Sequence, residues 1–181
     1  MSDLSVEEGL ARVLARYHVV EAETVAVEAA IGRVLAAAYA ARWQLPSAPL
    51  SIMDGYAVRS ADLRGEAAPV SLALMDESAA GHPSGALAPG SCIRIATGAV
   101  VPEGADAVVP QEDAMRHDDG AGDHTGPRVE FTTVAVEQVA PGRWIRPAGS
   151  DVAEGEALLD GGQLVGPGEA SLLAAAGHHR I

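Results

Sequence analysis

Val6, Leu10, Val13, Leu14 and Tyr17 recur at i, i+4, i+7, i+8 and i+11, which puts them on one face of a helix. Ser5 followed by Glu8 supplies a capping box at its start, so the pattern predicts a helix from about Val6 to Tyr17. Thr24 to Ala41 is ambivalent: its alanines favour helix, Gly32 interrupts it, and Val25, Val27, Val34 and Leu35 suit strand pairing. It reads as a short helix before Gly32 and an extended segment into Arg42. From Pro46 to about Pro141 the texture changes to short apolar runs separated by Gly and Pro: Val70 to Leu74, Cys92 to Ile95, Ala107 to Val109 and Val129 to Val136. Such punctuation predicts a β-rich unit of short strands. Beyond it, Gly166-Pro167 opens a helix with Pro in its first turn, Glu169 sits near the positive end, and Gly177 supplies the stop.

These elements predict an α+β fold. Residues 1–46 and 142–181 would form one discontinuous, helix-containing unit, with 47–141 inserted as a mixed-β domain. Hydrophobic residues make up 48% of the 181 positions and charged residues only 20%, enough apolar surface to build a core. Aromatics are only 3%, so that core is expected to rest on Ala, Val and Leu and to lean on a partner surface.

Charge narrows the partners. The net charge is −13 and all 12 basic residues are arginines, a balance that disfavours nucleic acid and anionic membrane surfaces. An anionic small molecule would need arginines gathered locally, and Arg143 and Arg146, close in sequence to Asp151, are the best such group. The single cysteine, Cys92, excludes an intramolecular disulfide and reads as a small buried hydrophobe. The start Met1-Ser2-Asp3-Leu4-Ser5 has no signal-peptide pattern, and no apolar run approaches the ~18 residues of a membrane span, so a cytoplasmic location is expected.

Candidate chemistry concentrates between Arg94 and Asp113, where an apolar strand runs into Thr97-Gly98, a Pro102-Glu103-Gly104 turn, a second strand and the cluster Gln111-Glu112-Asp113. Thr97 offers a hydroxyl, and the amides around Gly98 could hold an oxyanion; the plainer alternative is a threonine ending a strand. In Met53-Asp54-Gly55-Tyr56 the glycine permits a tight turn that presents the Asp54 carboxylate, with Tyr56 packing behind it. Asp151, flanked by Gly149 and Gly155, is either a site carboxylate or a structural partner of Arg146. Glu112 and Asp113 are equally readable as a solvated strand end. The run His117 to His124 holds metal-ligand types, but its glycines and acidity read as a hairpin tip, and His178-His179 read as a frayed terminus.

Taken in order, the Met53–Val58, Arg94–Asp113 and Gly142–Gly155 segments resemble molybdopterin molybdenumtransferases, a family that includes the E domain of gephyrin. The resemblance extends from Leu4 through Ile31-Gly32-Arg33-Val34-Leu35-Ala36 to Gly177. It implies an enzyme that takes molybdate and adenylylated molybdopterin, releases the nucleotide with Mg²⁺, and inserts molybdenum into the dithiolene. Matching motif to motif, it places catalytic residues at Asp54, Thr97 and Asp151, with Asp54 and Asp151 toward the metal; Gly98, Arg143 and Arg146, the oxyanion and anion candidates read from the residues above, would then lie toward the ligand. Where the family places Asp-Asn-Ser-Ala, this chain has Pro49-Leu50-Ser51-Ile52. The resemblance further implies a homodimer, and a pterin- and nucleotide-binding half carried by another domain or chain, so that this chain by itself would be inactive. Two other readings stand beside it: a non-catalytic, dimerising or partner-binding relative, and an acidic metal binder centred on residues 117–124.

Overall fold

In the computed structural model, which describes residues 4–118 and 126–181, the capping box closes as the sequence predicts. Glu8 donates its amide to the Ser5 hydroxyl and returns its carboxylate to the Ser5 amide, both at 3.1 Å, and helix α1 runs Val6–Leu14. It ends three residues short of the expected Tyr17. None of its residues is buried, and Leu4, Val6, Leu10, Val13, Leu14 and Tyr17 are each at least half exposed. A helix this short gains little from propensity alone, so its last turn opens without packing to hold it.

The strands follow as β1 (Tyr39–Ala40), β2 (Leu50–Ser51), β3 (Gly55–Val58), β4 (Val70–Ser78), β5 (Ser91–Ile95), β6 (Ala107–Pro110), β7 (Ala114–His117) and β8 (Arg128–Phe131). Helix α2 (Thr133–Gln138), strands β9 (Ile145–Arg146) and β10 (Ala157–Leu159) and helix α3 (Pro167–Ala175) complete the chain. The expected short helix before Gly32 is only a 3₁₀ turn, Val27–Ala30, and Gly32 turns the chain in the left-handed region at φ 85°. The apolar run Val129 to Val136 is not one strand. It leaves the sheet at Phe131, where the Thr132 hydroxyl accepts the Ala135 amide at 3.3 Å and starts α2. Ala135 and Val136 then reach the core from a helix, a local cap overriding the β preference of the valines.

The main sheet is mixed, ordered β6-β3-β5-β4-β8-β7, with only β4 and β5 parallel. Two short antiparallel pairs, β1 with β10 and β2 with β9, lie outside it. Every residue of β3 is buried because both sheet faces are covered there. Tyr56 and Val58 enter a cluster with Leu72, Cys92, Val129, Phe131 and Val136, while Ala57 faces a second cluster with Ile93, Ile95, Ala99 and Val108. Trp144 and Ile145 pack on that second cluster although they lie beyond residue 141. Both chain ends supply a third cluster, Val27, Ala30, Leu35, Val165, Ala170 and Leu173. Cys92 is fully buried and its thiol is pushed up to about 12 by that burial, which keeps it a neutral hydrophobe.

At α3 the Glu169 carboxylate accepts the Gly166 amide at 3.0 Å, Pro167 occupies the first turn, and Gly177 ends the helix at φ 99°. The expectation of a frayed end at His178-His179 is corrected. His178 is buried, bonds through Nε2 to the Ala40 carbonyl at 2.8 Å and meets the Tyr39 ring edge-on, while Ile181 exchanges backbone bonds with Val25. Among the described residues no helix is long and apolar enough to cross a membrane.

Candidate functional site

Asp54 ends the turn that carries β2 into β3. Its Oδ1 accepts the Thr97 amide at 2.7 Å and the Thr97 hydroxyl at 2.8 Å, a clamp between residues 43 positions apart. The hydroxyl must be the donor, because an ionised carboxylate has only lone pairs to offer. The Thr97 amide, then the Thr97 hydroxyl and then the Arg94 charge hold the Asp54 carboxyl below the usual carboxylate range. The Gln111 amide completes the link by donating to the Asp54 carbonyl at 3.0 Å.

Two glycines make this geometry possible for different reasons. Gly98 takes φ 80° and donates its amide to the Ser51 carbonyl at 2.8 Å, which folds the loop after β5 back onto β2. Gly55 has no left-handed backbone, contrary to the tight-turn reading. A Cβ there would lie 2.9 Å from the Val109 carbonyl carbon and closer still to its oxygen, so glycine is what lets β3 and β6 approach. Tyr56 is buried behind the loop, edge-on to Phe131.

The expected oxyanion cradle of free amides is not formed. Thr97 donates to Asp54, Gly98 to Ser51 and Ala99 to the Ala96 carbonyl at 3.0 Å, so all three amides are already spent. The expected arginine group also divides. Arg143 donates to the Gln138 amide oxygen at 2.7 Å and lies 5.3 Å over the Trp144 ring, while Arg146 grips both oxygens of Asp151. That bidentate pair, assisted by Ser150, holds the Asp151 carboxyl low. Arg146 sits on β9 opposite Leu50, and the Trp144 carbonyl accepts the Ile52 amide at 3.1 Å. Trp144 does this at φ 58°, an unusual backbone for a bulky residue.

The structure therefore draws residues 50–54, 96–99, 110–111 and 144–146 into one seam. It leaves Asp54 and Asp151 in separate hydrogen-bond networks. Among the described residues no group of three or more His, Cys, Asp or Glu is arranged to hold a metal ion. His117 and Asp118 are described, with Arg116 paired to Asp118 at 2.6 Å; the rest of the histidine-rich run, 119–125, lies outside the described residues. Glu112 and Asp113 fall in a 3₁₀ turn, Gln111–Asp113, whose last carbonyl accepts the Thr132 amide. The side chain that sequence reasoning passes over is Arg94. It holds the one half-buried position of an otherwise buried β5, directly opposite Tyr56, and only that strand register, invisible before pairing is known, gives it away.

Residues 4–177 match the family model described as the MoeA N-terminal region (domain I and II). Molybdopterin molybdenumtransferase 2 of Mycobacterium tuberculosis is 40% identical over 158 residues, covering 85% of this chain and 36% of that protein. The molybdopterin molybdenumtransferase of Haemophilus influenzae is 34% identical over 158 residues, 87% of this chain and 36% of that protein. The solved molybdopterin biosynthesis moea protein of Pyrococcus horikosii superposes with a TM-score of 0.82 at 27% identity, covering 99% of this chain and 44% of that one. This chain thus spans 36% of the length of those two curated relatives and 44% of that solved chain.

Proposed function

The chain belongs to the MoeA N-terminal family, and from that premise we propose that it serves molybdenum cofactor biosynthesis as the N-terminal portion of a molybdopterin molybdenumtransferase. In this reading it contributes part of a shared active site where molybdate is inserted into adenylylated molybdopterin, the remainder coming from another domain or chain. The observation that carries it is the Asp54–Thr97 clamp, which joins two of the three family motifs at one exposed point of the sheet.

The clamp divides the labour within Asp54. Oδ1 is fixed by Thr97, and Oδ2 has no protein hydrogen bond among the described residues, so one carboxylate oxygen stays available in a set orientation. Mg²⁺ is commonly held by one or two carboxylates together with substrate phosphates, and a lone, oriented, ionised oxygen fits that pattern. When bound, such a cation would offset charge on the anionic substrate. Asp54 would hold it, and Thr97 would position Asp54. Asp151 fits the cation less well while Arg146 occupies both its oxygens; its part is to fix Arg146 beside β2. Arg143, Arg146 and Gly98 remain on the ligand side of the reading, Gly98 by shaping the loop.

A second reading, a dimerising or partner-binding relative without catalysis, is favoured by one observation: the apolar stripe of α1 faces solvent. One experiment separates the two. The chain is joined to the C-terminal part of a curated relative and expressed in a bacterium lacking its own molybdenumtransferase, with molybdenum-enzyme activity as the readout. The catalytic reading expects recovery from the fusion and none from the chain alone. It fails if the fusion is silent while the relative's own N-terminal part, rejoined in the same way, recovers activity.

A further inference from the structure

We propose that Arg94 is an anion-contacting residue of this site, its guanidinium taking a tetrahedral oxyanion beside the Asp54 carboxylate. The proposal deepens the reading above and rests on it for the placing of the site.

The other candidate arginines are already engaged. Arg146 gives two donors to Asp151, and Arg143 is held by Gln138 and the Trp144 face. Arg94 has five N–H donors, and among the described residues its one side-chain bond is a long one, Nη2 to the Gln111 amide oxygen at 3.3 Å. The four ion pairs among the described residues do not include it. Its head is nevertheless not loose. The stem rises from β5 opposite Tyr56, and the guanidinium lies 5.9 Å from the centroid of that buried ring, a cation over a rigid aromatic face.

Gln111 ties this cation to the clamp. Its side chain meets Arg94 while its backbone amide donates to the Asp54 carbonyl, so Arg94, Gln111, Asp54 and Thr97 form one connected set. With the loop amides spent internally, an oxyanion arriving here needs a side-chain donor, and Arg94 is the under-used one. In a chain of net charge −13 a local cation also decides whether an anion approaches at all. The planar fork suits phosphate and other tetrahedral oxyanions, which is the chemical class both of a phosphate-linked ligand and of molybdate.

Calorimetric titration of the purified chain with sodium molybdate, and separately with adenosine monophosphate, each in MgCl₂, tests this. Arg94→Ala should weaken binding of at least one probe about tenfold or more. Arg94→Lys should restore part of the loss, and the exposed Arg64→Ala should leave affinity unchanged. Loss confined to molybdate assigns the metal oxyanion, and loss confined to the nucleotide assigns the phosphate. Binding of neither probe by the parent chain, or equal affinity in Arg94→Ala with the fold intact by thermal melting, overturns the proposal. A shifted Asp54 titration without a change in affinity also overturns it, because Arg94 would then only support its neighbour. The fusion experiment stays separate: a fully active Arg94→Ala fusion sinks Arg94 and spares the functional reading, and a silent parent fusion with intact Arg94-dependent binding does the reverse.

Discussion

Gly55 and Val109 lie so close across the β3–β6 pair that a side chain on Gly55 would be driven into the Val109 carbonyl. The glycine of the Met53-Asp54-Gly55-Tyr56 motif is thus a packing requirement one residue away from the Asp54 carboxylate. Because the obstacle is backbone held in the β3–β6 pairing, it cannot rotate aside as a side chain would. Gly55→Ala should cost about 3 kcal/mol by overpacking. Thermal unfolding would read this directly, and a melting temperature equal to the parent's would show that β3 and β6 can part freely.

Thr97 and Asp54 make a prediction about protons. Asp54 carries a carboxyl held below 3.8 by the Thr97 amide first and the Thr97 hydroxyl second. A lowered folded value means that the clamp adds stability above the unfolded value of 3.8, and that this stability is lost as pH falls through the folded value. Thr97→Val removes the hydroxyl and keeps the amide, so the Asp54 titration should move up part of the way. Thr97→Ser should leave it in place. Carboxyl NMR titration of the three proteins measures the shift, and identical Asp54 curves in all of them would remove the hydroxyl from the clamp.

Much of this arrangement is legible before any coordinates, and the remainder is hidden for definable reasons. The capping box of α1 and the Gly-Pro start and glycine stop of α3 are local events, so the residues that make them are adjacent in sequence. The Asp54, Thr97 and Asp151 motifs are legible because a family resemblance orders them, although each alone is ambiguous. What stays hidden depends on pairing between distant segments. Thr132 turns an apolar run into a helix only because Phe131 has finished its place in the sheet; His178 is buried because the chain end returns to Val25 and Ala40. Arg94 looks like any strand arginine until β5 is laid against Tyr56.

We propose that the chain divides into the unit made by residues 1–46 and 142–181 and the inserted unit 47–141, with Trp144 and Ile145 as its seam. Support comes from the third apolar cluster, which draws only on the chain ends, and from the two clusters of the main sheet. Leu173 is fully buried in the terminal cluster, so Leu173→Ala should cost about 2–5 kcal/mol. If the units are separable, faster amide exchange should be confined to residues 25–41 and 157–181. Phe131→Ala should loosen 55–139 instead. Equal acceleration throughout the chain in both variants would show one cooperative core.

Asp54 and Asp151 are the residues on which the catalytic reading turns, and their different partners give them different expected behaviour. Asparagine keeps the size of each side chain and removes its charge. At Asp54 the Thr97 donors can still bond to an amide oxygen, so folding should hold while a cation loses its oriented ligand; insertion activity in the fused protein should fall steeply. At Asp151 the change breaks the bidentate grip on Arg146, an exposed pair of the kind that contributes little to stability. Melting temperature should therefore slip only slightly. Its effect on insertion then decides between two roles. A steep fall at unchanged folded fraction means that Asp151, through Arg146 or directly, serves the substrate; activity that merely tracks the folded fraction makes it a structural partner. Melting and insertion must be measured on the same preparations, and full activity in both Asp54→Asn and Asp151→Asn would defeat the site assignment together with the roles proposed for Thr97 and Arg146.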